Sequence, residues 1–155
     1  MSPATPIIVC GRTSQIANKV IEFLKPEFEV IHVILSLPSA KTELPLLLNL
    51  PNASSTAIPC ESSIGSRNYS EAPFAVLIGG GYDDQAVAEL EEACKADLSN
   101  MIGKTTIPWL RVDTTKPAPP PGGPEYGNAV AGRAKECLLG LKEAGGVGNE
   151  RVIWF

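Results

Sequence analysis

Continuous apolar runs and helical stripes take turns along the chain. Pro6, Ile7, Ile8, Val9 and Cys10 form an unbroken apolar run that stops at Gly11. Such a run, lacking polar alternation, suits a strand covered on both faces. Similar runs occupy 29–35, 74–78 and 107–112, and a short one closes the sequence at 152–155. Between them the apolar residues recur at helical spacing. Ile16, Ala17, Val20, Ile21 and Leu24 precede a stop at Pro26; Ala86, Val87, Leu90, Ala93 and Cys94 form a second stripe. Val130, Ala134, Cys137, Leu138 and Leu141 form a third within 128–144, ended by Gly145 and Gly146. A shorter helix is expected after the second run, with Ser39 as N-cap, Glu43 near its first turn and Pro45 weakening it. Strands separated by helices pair in parallel. The pattern predicts an α/β fold: a three-layer sandwich around a five-stranded parallel sheet, Rossmann-like or flavodoxin-like. Strand orders 2-1-3-4-5 and 3-2-1-4-5 both satisfy it.

The 155 residues fit a single domain spanning 1–155. Two stretches interrupt the alternation. Residues 50–72 are rich in Ser, Asn and Pro and read as a mobile loop. Because this loop joins a helix to a strand, it is expected at the amino ends of the strands, away from any ligand. Residues 113–127 carry five prolines and read as a lid-like loop over the opposite edge. With 19% charged residues, a net charge of −4 and no basic run, the chain is not expected to bind nucleic acid. Four cysteines without a CxxC pair and a single histidine give no standard metal spacing, so no metal site is expected. Neither a secretory leader nor a membrane-length apolar stretch is visible, which points to a cytoplasmic protein with reduced thiols.

Ligands of open parallel sheets sit at the carboxyl ends of the strands. There the first strand turns through Gly11 directly into a helix start. Free N–H groups and the helix dipole favour an anion at such a turn. Gly11, Arg12, Thr13, Ser14 and Gln15 are therefore candidates to hold a phosphate. Ser36 follows the second strand. Gly79, Gly80 and Gly81 follow the third and permit close approach of a ligand. Tyr82 and Asp83 are the candidates for proton transfer, although Asp83 or Asp84 would equally cap the next helix. His32, inside the second strand, reads as a packed histidine.

The stretch from Val9 to Ala17 resembles the opening of NAD(P)-binding Rossmann domains. Gly11 stands at the first glycine of GxGxxG, with Thr13 and Ile16 at the second and third. The family's acidic ribose ligand is replaced by Ser36, and Arg12 lies nearby, so the resemblance implies NADP rather than NAD. The whole pattern is similar to small Rossmann-like proteins of fungal type. It implies a small-molecule ligand and an oxidoreductase, although the Tyr-x-x-x-Lys pair of short-chain dehydrogenases is missing: Ala86 and Val130 occupy the lysine positions. Two alternatives stay open. One is a non-catalytic interaction protein on a degenerate nucleotide fold, forming a homodimer through Ile153, Trp154 and Phe155. The other is phosphoryl transfer at Cys10. Cys10 to Ser14 resembles the cysteine loop of phosphotransferase-system IIB proteins and of low-molecular-weight tyrosine phosphatases, with Ile16 where the phosphatases need arginine.

Overall fold

The computed structural model describes residues 4–48, 58–69, 71, 73–79, 81–98, 107–113, 115, 125–144 and 152–155. Its elements run β1 (Thr5–Cys10), α1 (Ser14–Leu24), β2 (Phe28–Ile34), α2 (Leu37–Leu48), β3 (Ala75–Ile78), α3 (Asp84–Leu98), β4 (Trp109–Arg111), α4 (Tyr126–Ala144) and β5 (Val152–Trp154). The five strands form one sheet, all parallel, in the order β2-β1-β3-β4-β5. Of the two orders the sequence allows, the flavodoxin-like one is realised. The chain reverses direction across the sheet between β1 and β3, and that is where ligands of such folds sit.

Both faces of the sheet are covered. Ile8, Cys10, Val76 and Ile78 point into an apolar layer with Leu44 and Leu47 of α2 and Leu90 of α3. Ile7, Val9, Ala75 and Leu77 point the other way, against Val20 and Leu24 of α1 and Ala134 and Leu138 of α4. Each fully buried Leu or Ile contributes about 1.5–3 kcal/mol of hydrophobic stabilisation. Pro108 sits just ahead of β4 and is buried, giving its carbonyl to the Val76 N–H at 3.0 Å. A residue with no N–H is tolerated there because pairing starts after it.

β2 departs from simple alternation. Ile7 pairs with Val30 and Ile8 with His32, so Ile31 is an extra residue in the strand. The bulge resets the alternation and turns His32 toward α2. His32 is fully buried there. Its Nε2 lies 2.7 Å from Glu43 Oε1 on α2, and its Nδ1 lies 2.8 Å from the Tyr69 hydroxyl. Burial lowers the pKa of His32 against the opposing pull of Glu43. A neutral imidazole then donates Nε2–H to Glu43 and accepts the Tyr69 O–H.

The placement expected for 50–72, at the amino ends of the strands, is corrected over its described part. Residues 62–67 run along the free edge of β2 as a strap. The Ser62 hydroxyl donates to Val33 O at 2.6 Å, Val33 N–H to Ile64 O at 3.2 Å, Ser66 N–H to Val30 O at 3.0 Å and Arg67 N–H to Ile31 O at 2.8 Å. The strap begins at the carboxyl edge, where Glu61 accepts a hydrogen bond from Ser39 at the start of α2. The cause is the strand order: β2 is an edge strand whose polar groups need partners. Ser63, Gly65 and Arg67 supply the positive φ angles that let this segment follow a bulged edge. Two helix starts also differ from the sequence pattern. Helix α2 begins at Leu37, so Ser36 rather than Ser39 is the cap, accepting the Ser39 N–H at 3.3 Å. Helix α2 also continues past Pro45 to Leu48. Helix α4 begins at Tyr126, two residues before the expected Asn128.

Candidate functional site

The turn after β1 and the turn after β3 meet at the point where the chain reverses across the sheet. Gly79 N–H donates to Cys10 O at 2.8 Å, holding the two turns together. Tyr82 closes the crevice between them. It is only 2% exposed, its hydroxyl donates to Gly11 O at 3.2 Å, and burial pushes its phenol well above the ordinary range. The Arg12 guanidinium lies over the Tyr82 ring, 4.8 Å from its centroid. Gly81 makes that stacking fit: a Cβ there would come within 2.6 Å of Arg12 Cγ.

Thr13 caps α1, its hydroxyl accepting the Ile16 N–H at 3.3 Å. By helix geometry the N–H groups of Ser14 and Gln15 have no intrahelical acceptor. No acidic residue stands in the first turn of α1, and Arg12, Thr13, Ser14 and Gln15 are all exposed. The next start differs. Asp83 caps α3 by accepting the Ala86 N–H at 2.8 Å, and Asp84 stands in its first turn. Of the sequence candidates, Gly11, Arg12, Gly79, Gly81 and Tyr82 therefore come together, with Thr13, Ser14 and Gln15 beside them. Ser36 does not join this group: it lies past β2, on the far side of β1, and its hydroxyl also donates to Ser39 Oγ at 3.0 Å. Gly80 lies outside the described residues, as does most of the lid-like loop.

Cys10 is fully buried, and desolvation pushes its thiol well above the ordinary value. Phosphoryl transfer at this position would need the reverse, an accessible thiolate at the helix start.

Next to Tyr82 a cleft of about 510 Å³ opens over the ends of β3, β4 and β5. Arg111 is its organising residue. It pairs with Asp84 at 2.9 Å, donates to Tyr82 O at 3.3 Å and stacks 4.5 Å from the Trp154 ring centroid. Trp154 remains 51% exposed. Asp113, which accepts from Thr115, completes the polar wall. The sequence reading missed Arg111 and Trp154 as site residues. Each sits on a short strand whose alternation places it at the carboxyl edge, and an arginine ending an otherwise apolar strand was the available signal.

The titratable groups fix a pH window for stability. Unfolded His32 gains its proton near 6.5, whereas the folded chain resists it. Below that value the unfolded chain binds more protons, so stability falls as pH drops. Cys10 acts in the opposite sense: its unfolded thiol ionises near 9.0 while the folded one does not. Tyr69, pushed up to about 12, and Tyr82 add to this from their ordinary 10.0. Thermal unfolding followed against pH should give a plateau from about 6.5 to about 9, with losses on both sides. A curve still rising below pH 6 would contradict the buried neutral His32.

Fold and site together define a small flavodoxin-ordered α/β domain with an open polar cleft beside the β1–β3 reversal. The chain belongs to the family of Kojic acid related protein 6: it is 40% identical over 148 residues to that protein from Aspergillus oryzae (strain ATCC 42149 / RIB 40). The match covers 95% of this chain and 84% of the relative. No family model matches the sequence, and no solved structure matches it significantly. Among the described residues, no helix is long and apolar enough to cross a membrane.

Proposed function

We propose that the protein binds a phosphate-bearing small molecule at the carboxyl edge, with NADP the first candidate. The observation that carries this reading is the start of α1. Its N–H groups lie free of any first-turn acid, and an exposed guanidinium held on Tyr82 stands beside them. Helix dipole, amide donors and Arg12 together favour a phosphate. Arg12 and the amides of Ser14 and Gln15 would hold it. The carboxylates of Asp84 and Asp113 in the neighbouring cleft suit hydroxyl donors such as those of a ribose. Ser36 is already used as a cap, so nothing in this reading depends on it.

Thermal unfolding with NADPH, NADH, FMN, coenzyme A, ATP, inorganic phosphate and kojic acid in parallel tests it, the last as a phosphate-free comparison. A ligand at 100 times its dissociation constant adds about 2.7 kcal/mol. The rise is expected with a phosphate-bearing nucleotide and is expected to vanish in Arg12→Ala. That variant should itself unfold within about 1 kcal/mol of the parent, since it loses only an exposed cation–π contact. No rise with any phosphate compound would sink the reading.

Two observations favour a binding protein over an oxidoreductase within this reading. The Tyr82 hydroxyl has a main-chain acceptor, and the Asp83 carboxylate has a helix to cap. Tyr82→Phe is expected to cost about 1 kcal/mol, the worth of one hydrogen bond, and to leave the ligand-induced rise intact. Loss of NADPH turnover in that variant would instead assign Tyr82 to proton transfer. The homodimer reading narrows to one side chain: Phe155 is buried and Ile153 half-buried, leaving Trp154 to face outward. Sedimentation velocity of Trp154→Ser against the parent tests whether it joins two copies.

A further inference from the structure

A second opening lies on the other side of Gly79. Between α1 and α4, under the turn after β1, is a slot of about 40 Å³. Its walls are Val9, Ala17, Leu77, Val130, Ala134 and Phe155, without one polar side chain. The slot and the polar cleft share Gly79 and Val112, so a single ridge separates them. Gly11, Ile16 and Gly79 at its mouth are only half-buried, whereas Val9, Leu77 and Ala134 at its floor are buried. A Cβ on Gly11 would meet nothing within 4 Å.

Protein interiors pack to the density of organic crystals, and a gap forfeits the dispersion contacts of its lining. A void with apolar walls also stays dry, since water finds no hydrogen-bond partner in it. The slot has a local cause: small residues, Ala17 on α1 and Ala134 on α4, face each other across it. It also has a telling place, the carboxyl edge beside the β1–β3 reversal, where ligands of this strand order sit. About 10–15 Å³ of such space holds one water-sized group, so the slot takes about three of them.

We infer that the ligand of this protein is amphipathic: a short apolar group of isopropyl size, which NADP lacks, enters the slot between α1 and α4, while the polar part of a different phosphate-bearing molecule lies at the α1 start and in the Asp84–Arg111–Trp154 cleft across the Gly79 ridge. The polar half of this statement rests on the function proposed above; the apolar half rests on the slot alone.

The test uses methyl-labelled protein titrated with isobutanol, and separately with glycerol, observing the methyl resonances of Val9, Leu77, Val130 and Ala134. Isobutanol is expected to shift them saturably and glycerol to leave them unmoved. Ala134→Leu fills the slot and should weaken the isobutanol response by about tenfold or more, the effect of a misplaced methylene in an apolar pocket. Ala17→Val serves the same purpose should the leucine variant fail to fold. Shifts that grow linearly without saturating, or that survive in the filled variants, overturn the inference. Isobutanol carries no phosphate, so a saturable response with no nucleotide-induced stabilisation would uphold the slot and remove the phosphate reading. A nucleotide effect with unresponsive slot methyls would do the reverse.

Discussion

Replacing His32 with alanine is expected to cost about 3–5 kcal/mol of unfolding free energy, the toll of stripping a buried polar network of its central member. Glu43 would keep a buried carboxyl group with no donor, and the Tyr69 hydroxyl would lose its 2.8 Å acceptor. Both sit in an otherwise apolar layer, 3% and 8% exposed, so water cannot readily replace the imidazole. Urea unfolding of parent and variant reads the difference directly. The double variant His32→Leu, Glu43→Leu sharpens the test. Exchanging both members of the His32–Glu43 pair for apolar groups of similar size is far less costly than stranding the carboxyl group, so the double variant should recover that part of the loss, while the Tyr69 hydroxyl still lacks its acceptor. A single variant within 1 kcal/mol of the parent would mean that the network is solvated.

Gly65→Ala is the second large effect, expected at about 3 kcal/mol from backbone strain and steric overlap together. Gly65 has a φ of +110°, a conformation L side chains rarely adopt. A Cβ there would stand 2.7 Å from Ile31 O and 2.8 Å from His32 N, main-chain atoms that cannot swing aside. The strap should lift from β2 before the rest of the chain opens. Hydrogen exchange then separates the local from the global loss: the amides of Val33, Ser66 and Arg67 should become unprotected while those of β1 and β3 stay slow. Gly11→Ala is the control for stability, because its added methyl meets open space. Equal losses at both positions would show that close approach to β2 is not what requires Gly65.

These two residues also mark where sequence reasoning stops. The runs at 6–10 and 74–78 declared buried parallel strands because apolarity on every residue requires cover on both faces, and β1 and β3 occupy those places. The glycine turn after Ile78 was equally legible, since it is local chemistry at a fixed offset. The bulge at Ile31 was not. Nothing within 28–34 distinguishes a strand with an extra residue from one without, and the bulge makes sense only against β1 on one side and the strap on the other. The Glu43–His32–Tyr69 network draws on residues 11 and 37 positions away from the histidine, beyond the reach of any periodicity. The cleft escaped for a related reason. Arg111 and Trp154 become neighbours only through the pairing of β4 with β5, a contact between segments with a helix between them.

The strap has a consequence for how copies of this chain can associate. A sheet with both margins free is bivalent: each molecule can hand its backbone to one neighbour and receive that of another, which is how strand-pairing polymers grow. Here the β2 margin is filled by the chain's own residues 62–67, and among the described residues only β5, with a strand partner on one side, remains. Among the described residues, then, one margin is left for strand pairing. The strap thus occupies a margin that would otherwise be open to another copy, and a change that detaches it is expected to expose β2 as a further site for strand pairing.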